Sequence, residues 1–249
     1  MLLELIRNAT MRITYNGHVI LTDPYLGAKH AYRSLGGVEQ NPIVELPRPA
    51  EDVIKGVEGL IVSHLHNDHF DPPAQELLLK DLPLFCQPGD EGRIAEKGFT
   101  NITPVEDSVA WEGISITRTP GTHGTGTWGE QLNPVSGFIL RAANEPTVYW
   151  AGDSIWYEAA RDIVSNVRPD VIITHSCGAE LEDSGPIVMD AAQTIAVCRH
   201  APDATVVAIH MDSVDHAKVS RADLRAYAER YGIEAKQLLI PADGETLNL

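Results

Sequence analysis

At 249 residues, with 43% hydrophobic and 22% charged side chains, the chain has ordinary globular composition and enough length to bury a core as one domain over residues 1–249. Its formal net charge of −16 repels phosphate backbones and argues against nucleic acid as a partner, although part of that charge can serve to hold cations. Three scattered cysteines without a CxxC pair argue against a disulfide framework, MLLELIRNATMRITYNG is no secretion signal, and no run of about 18 apolar residues is present to span a bilayer; the expectation is a cytoplasmic protein that meets a small molecule and no membrane.

Short apolar or alternating runs open the chain at 2–6, 11–15 and 18–22, parted at Asn8 and at Asn16-Gly17. Asn-Gly between two such runs signals a hairpin, because both residues tolerate positive φ, so antiparallel strands come first and end at Asp23-Pro24. Residues 27–50, with Gly36-Gly37 and several prolines, read as a long irregular connection of the kind that lines sites. The continuous apolar run at 59–63 suits a strand buried on both faces. Asp71-Pro72-Pro73 then reads as an N-cap with first-turn prolines, opening a helix to about Lys80.

Further strands are expected at 83–86, 101–104, 108–111 and 114–119, followed by a loop over 120–136 rich in glycine and threonine. That loop carries His123 and reads as a candidate lid. Strands at 137–141 and 147–151, a helix over 156–167 and a strand at 170–174 come next. A helix over 189–200, a strand at 205–209, a helix over 221–231 with a Ser220/Asp223 capping box and a stop at Gly232, and strands near 237–240 and 245–248 complete the pattern. Strands first, then mixed strands and helices, twice over, favour two packed sheets with helices outside; the strand order stays open.

Between the strand at 59–63 and the helix from Pro72 lies His64-Leu65-His66-Asn67-Asp68-His69, which holds three of the ten histidines. Four other strands are each followed by a single His or Asp: Asp23, His123, Asp153 and His210. Loops at one rim of a sheet are where a rigid scaffold presents chemistry. Imidazole and carboxylate ligands suit zinc and, with more oxygen, manganese or iron. Four donors in six residues are too many for one ion. His64 and His66 can face one way and Asp68 and His69 the other, so two neighbouring ions sharing a distant carboxylate are expected, about 3.5–4 Å apart with a hydroxide between them. Of the other histidines, His175 follows the strand at 170–174 at the same rim and is a candidate to touch substrate or protonate the leaving group. His30 and His216 fall in loops that can border the site, while His18 and His200 read as a surface residue and a helix end.

The segment 64–69 is an HxHxDH signature. With Asp23 in LTDPYL, His123 in TPGTHG, Asp153 in WAGDS and His210 in VVAIHMD following in order, essentially the whole chain resembles the metallo-β-lactamase fold superfamily. ATMRITYNGHVILTDPYL, NPIVELP and SHLHNDHFD more narrowly resemble its compact metal-dependent hydrolases similar to L-ascorbate 6-phosphate lactonase. The resemblance implies an α/β (α+β) fold, an αββα sandwich of two mixed β-sheets flanked by helices, with metals at one edge. It places His64, His66 and His123 on a first metal and Asp68, His69 and His210 on a second, with Asp153 bridging and Asp23 behind them orienting a ligand imidazole. It also implies self-association into a homo-oligomer.

The expected activity is hydrolysis. Two divalent ions, zinc first and manganese as the alternative, activate a hydroxide that attacks an acyl carbon or phosphorus, with Asp68 orienting it. A sugar-acid lactone or other ester is the first substrate by resemblance. A phosphodiester is the second, with Lys29, Arg33 and Arg48 as the cations at hand. The rival on the same scaffold is a mononuclear-iron oxidoreductase using His64, His123 and Asp153 as a facial triad. Flavin-coupled relatives carry glutamate where this chain has His66, and a non-catalytic metal-binding module fits poorly with seven ligands all present.

Overall fold

In the computed structural model, which describes residues 1–182 and 185–249, two seven-stranded sheets form from the runs just described. β1 (Leu2–Arg7), β2 (Thr10–Tyr15) and β3 (His18–Thr22) pair antiparallel. Asn16 and Gly17, at φ 50° and 82°, make the two-residue turn between β2 and β3 that the Asn-Gly pair predicts. β4 (Gly59–Val62), β5 (Leu84–Cys86) and β6 (Ile102–Pro104) extend this sheet in parallel, and β14 (Thr246–Asn248) pairs antiparallel with β1. The second sheet begins as an antiparallel meander of β7 (Ser108–Trp111), β8 (Ile114–Pro120), β9 (Ser136–Arg141) and β10 (Val148–Trp150). It continues in parallel through β11 (Val171–His175), β12 (Thr205–Ile209) and β13 (Leu238–Leu239). Each sheet thus changes from antiparallel to parallel part-way, at β3 and at β10.

The two sheets pack face to face. Leu3, Leu5, Met11 and Ile13 of the first meet Ile116, Phe138, Trp150, Ile173 and Ile209 of the second. The outer face of the first sheet packs against α1 (Ala50–Ile54), α2 (Pro72–Leu77) and α3 (Glu91–Ala95) through Val53, Ala74 and Ile94. The outer face of the second packs against α5 (Glu158–Val167), α6 (Ala191–His200) and α7 (Arg221–Arg230) through Val164, Ile195 and Leu224. This is an αββα sandwich of two mixed sheets. Along β11, Val171 and Ile173 enter the core between the sheets while Ile172 enters the core under the helices, which is why the run is apolar without alternation.

Some elements differ from expectation. The 120–136 stretch holds a helix, α4 (Gly126–Leu132), and is not loop throughout. α2 ends at Leu77, because Leu78 turns extended and buries its side chain under the first sheet. α6 starts at Ala191, where the Asp190 side chain accepts from Gln193 N at 2.8 Å and caps it. The three cysteines are free and buried, and no helix among the described residues is long and apolar enough to cross a membrane.

The long 27–50 connection is tied to both strand and helix. Fully buried Arg7 donates from Nη2 to Tyr25 O (2.7 Å) and Gly27 O (2.9 Å), and from Nη1 to Val44 O (3.2 Å). Asp71, the N-cap of α2, accepts from Leu26 N, Gly27 N and the Tyr32 hydroxyl. This carries the connection across the carboxyl rim of the first sheet.

Candidate metal centre

The chemistry collects where the strands of both sheets end. Asp23 follows β3, His64 to His69 follow β4, His123 follows β8, Asp153 follows β10 and His210 follows β12. Asp23 and His210 leave their strands at φ 37° and 65°. Such backbone costs a non-glycine residue about 1–3 kcal/mol and persists where the surroundings enforce it. Asp153 is aimed by Gly152 (φ 64°), at which an added Cβ would sit 2.4 Å from Ser136 O, so the turn closes only on glycine.

Two groups of donor atoms face each other. In one, His64 Nε2 lies 2.9 Å from His66 Nδ1, and His123 Nε2 lies 3.4 Å from Asp153 Oδ2. In the other, His69 Nε2 lies 3.1 Å from Asp153 Oδ2, and His210 Nε2 lies 3.3 Å from both His69 Nε2 and Asp68 Oδ2. Asp153 is shared: its Oδ2 is also 3.9 Å from His64 Nε2, and its Oδ1 is 3.6 Å from His210 Nε2. The structure therefore brings together all seven residues expected as ligands.

The far sides of three of these rings fix which nitrogen faces inward. His123 Nδ1–H donates to Ile187 O at 2.8 Å, and His69 Nδ1–H donates to Asp23 Oδ2 at 2.7 Å. Ser63 Oγ–H donates to Asp23 Oδ2 at 2.6 Å, so Ser63 Oγ accepts from His64 Nδ1–H at 3.0 Å. Each ring thus keeps a proton outside and turns Nε2 toward the two carboxylates, as metal-ligating histidines do. Asp153 and Asp68 are held well below the usual carboxylate range; burial opposes this, and His69 leads the groups that outweigh it. Burial likewise opposes charge on His69, but Asp153, Asp68 and Asp23 push it up to about 10, and His210 is raised in the same way with Asp153 foremost. The site demands positive charge. Protons on His69 and His210 supply it, and divalent cations compete for the same atoms. A cage of imidazole and carboxylate donors with this polarity fits divalent metal.

The family model described as Beta-lactamase superfamily domain matches residues 18–211, a span that includes every one of these ligands. The chain belongs to the beta-lactamase superfamily. Within the superfamily it is 32% identical over 249 residues to the UPF0173 protein YddR of Bacillus subtilis (strain 168), covering 97% of each chain. It superposes with a TM-score of 0.96 on a possible metal-dependent hydrolase from Veillonella parvula DSM 2008, at 31% identity over 100% of this chain and 99% of that one. An isothiocyanate hydrolase from Delia radicum gut bacteria superposes at 0.94, with 35% identity and the same coverage.

The sequence points to His175 as a substrate contact or leaving-group acid, and the structure gives it another place in this superfamily site. His175 is fully buried. Its Nε2 accepts from Trp150 Nε1–H at 2.9 Å and its Nδ1–H donates to Asp153 Oδ1 at 2.5 Å. Both nitrogens are engaged behind Asp153, so the ring holds that carboxylate in position and has no proton to offer outward. Burial depresses its pKa to about 4, against Asp153. Asn8 was missed altogether. From the turn between β1 and β2 its Nδ2 donates to Asp68 O at 2.9 Å and lies 3.2 Å from His210 Nε2, while Asn8 O accepts from His210 N. Its sequence signal was only that of a turn residue.

Two cavities reach the superfamily centre. The inner one, about 30 Å³, sits over His66, Asp68, His123, Asp153 and His210. The outer one, about 250 Å³, is walled by Tyr25, Tyr32, Arg33 and Leu65. Leu35, His66, Asp68 and His216 line both and form the waist between them. His30 and His18 lie outside, paired with Glu39 and Glu58, and His200 meets Ser165 Oγ at the end of α6.

Proposed function

We propose that this metal-dependent hydrolase of the metallo-β-lactamase fold uses two divalent ions, zinc first and manganese second, to open a small, uncharged, largely apolar molecule at an electrophilic carbon. One observation carries the substrate class. Beyond the ligands and His216, the inner cavity is lined among the described residues by Leu35, Leu132, Ala179, Leu181, Ile187 and Val188. Hydroxyls of a sugar-acid lactone would lie unpaired against these side chains, at about 1–3 kcal/mol each. A phosphodiester finds little positive charge. Arg48 is committed to the Glu4 carboxylate, Lys29 is exposed, and Arg33 reaches only the outer cavity.

An isothiocyanate suits this cavity: it is slender and uncharged, and its central carbon is the electrophile. The isothiocyanate hydrolase from Delia radicum gut bacteria supports it as the first substrate to try. An apolar lactone or ester offers a similar carbon and comes second. When bound, the ions supply Lewis-acid charge and a water that ionises near neutral pH. His64, His66 and His123 would hold one and Asp68, His69 and His210 the other, with Asp153 shared. Asp68, 22% exposed and present in both cavities, can accept a hydrogen bond from the attacking water. The aliphatic lining excludes bulk water, and the tail of the substrate lies in the outer cavity along Tyr32, Arg33 and Leu65. A single catalytic iron would leave Asp68, His69 and His210 without a task.

The test is metal analysis followed by a substrate panel of aryl and alkyl isothiocyanates, apolar and polyhydroxylated lactones, and a phosphodiester. The expected result is about two zinc ions per chain and turnover confined to the apolar members. Asp153→Ala and His66→Ala are expected to lose metal and turnover together. One iron per chain with oxygen uptake, or turnover of only the phosphodiester or polyhydroxylated lactones, would overturn the proposal.

A further inference from the structure

His216 lies in the segment after β12, six positions beyond the ligand His210. It is 9% exposed, its Nδ1 is buried without a hydrogen-bond partner, and no side-chain hydrogen bond joins either ring nitrogen to another described residue. The nearest carboxylate, Asp215 Oδ1, is 3.9 Å away, too far to satisfy it. The residue is nonetheless closely packed. An added Cβ on Gly36 would lie 3.3 Å from His216 Cβ, so the 27–50 connection packs directly against it. A buried unpaired atom such as Nδ1 costs about 1–3 kcal/mol, and Nε2, which is neither sealed in that way nor bonded to a described residue, is the ring nitrogen open to a partner that arrives later.

The inner cavity shows what is lacking. Of the residues described around it, five are ligands, six are aliphatic, and the remaining one is His216. The ligand rings turn lone pairs inward, and Asp68 and Asp153 accept hydrogen bonds. Apart from the Nε2–H left to His66, whose Nδ1 is the atom turned toward His64, no other described side chain there offers a substrate a hydrogen-bond donor. Burial lowers the His216 pKa, with Asp68 opposing, so the imidazole is neutral at pH 7 and carries one N–H.

Resting on the substrate class proposed above, we infer that His216 is a catalytic residue that donates this N–H to the substrate heteroatom on which charge collects. The attacking water first gives up a proton to solvent; as the resulting hydroxide adds to the electrophilic carbon, a C–O bond forms and one π bond of that carbon breaks. Its electron pair moves to the adjacent nitrogen, or to the carbonyl oxygen of an ester, and the His216 N–H stabilises the pair there without transferring a proton. A neutral imidazole is suited to this task because it polarises the bond without repelling the cations beside it. The position at the waist lets His216 meet every molecule that passes from the outer to the inner cavity.

The experiment compares wild type with His216→Phe, which fills the same space without a donor, and His216→Gln, which restores an N–H. Bound zinc and melting temperature are measured alongside kcat and KM. His216→Phe is expected to keep full zinc and a melting temperature at or above wild type, with kcat down about 100-fold and KM changed by less than about threefold. His216→Gln is expected to recover at least about tenfold of that loss. A His216→Phe protein with wild-type kcat, or one whose activity falls only in step with lost zinc, overturns the role of His216 and leaves the substrate class standing. If wild type turns over only a phosphodiester or polyhydroxylated lactone, the substrate class falls, and the same comparison made on that substrate still decides His216. A zinc-loaded wild type inert to the whole panel overturns both.

Discussion

Asp23 reaches one histidine from each half of the metal centre. Its Oδ2 accepts from His69 Nδ1 directly and from Ser63 Oγ, which in turn receives His64 Nδ1–H; its Oδ1 accepts from Ser63 N at 2.7 Å. One carboxylate therefore sets the ring orientation of two histidines that the proposed pair of ions would divide between them. Asp23→Asn keeps the shape but loses the charge and one acceptor, and zinc affinity is expected to fall about 10–100-fold. Competition with a chromogenic chelator measures it, and unchanged affinity would show that the strand and loop alone orient the rings. At this scale the sequence is uneven. His64 to His69 are legible because four donors in six residues have few other uses. Asn8 is not, because its positive φ of 57° marks it as a turn residue and its bonds to Asp68 and His210 exist only once that turn lies against segments 60 and 202 positions away. His175 misleads in the opposite sense. It ends a strand at the ligand rim, yet it is still inside β11, paired with Ile209, whereas the ligands lie beyond their strands.

The connection of residues 27–50 is an element without regular structure, so its shape depends on the groups that fasten it. Arg7 supplies three donors from β1 to carbonyls of Tyr25, Gly27 and Val44, and its guanidinium stacks 4.7 Å from the Tyr25 ring centroid. Arg7→Met keeps the buried volume but strands those carbonyls. It is expected to cost about 2–4 kcal/mol of stability and to raise amide exchange across residues 24–44 before the sheets open. Loss of stability with unchanged local exchange would place the role of Arg7 in the core instead. The irregularity that marks this connection in the sequence says where a site wall lies but not how it is held, because Arg7 reads as one more residue of an opening strand. The strands themselves were legible almost to the residue, since continuous runs mark burial on both faces. α1 and α3 were not, being five residues each and too short for periodicity to show. α4 was hidden by Gly126, Thr127 and Gly129; it forms because Asn133 ties it down, donating to Gly129 O and accepting from His123 N.

Across the whole molecule, the buried histidines at the metal rim come from both sheets, and several of them titrate in opposite directions. His66 and His175 are depressed to about 4 and His64 lies well below its ordinary 6.5, in each case chiefly by burial. Such groups bind fewer protons folded than unfolded, so the stability they contribute is present above pH 6.5 and is lost as pH falls toward 4. His69, raised to about 10, and His210, raised well above 6.5, bind more protons folded than unfolded. Their contribution is complete below pH 6.5 and drains away as pH rises toward 10. The metal-free protein is therefore expected to be most stable near pH 6.5 and to weaken on both sides. Zinc changes only one side. It takes the place of the protons on His69 and His210, so the alkaline decline disappears, while below pH 6.5 protons displace the metal from ligands that must be deprotonated to bind it. Because Asp23 and the 64–69 segment belong to one sheet and His123, Asp153 and His210 to the other, bound metal also clamps the sheets together and raises the melting temperature as the logarithm of the ratio of free metal to its dissociation constant grows. Calorimetric melting temperatures from pH 4.5 to 9.5, with chelator and after zinc is restored, measure both effects. A metal-free protein equally stable from pH 6.5 to 9.5 would show that Asp153 and Asp68 do not hold positive charge at this rim, and the case for a caged pair of cations would fail with it.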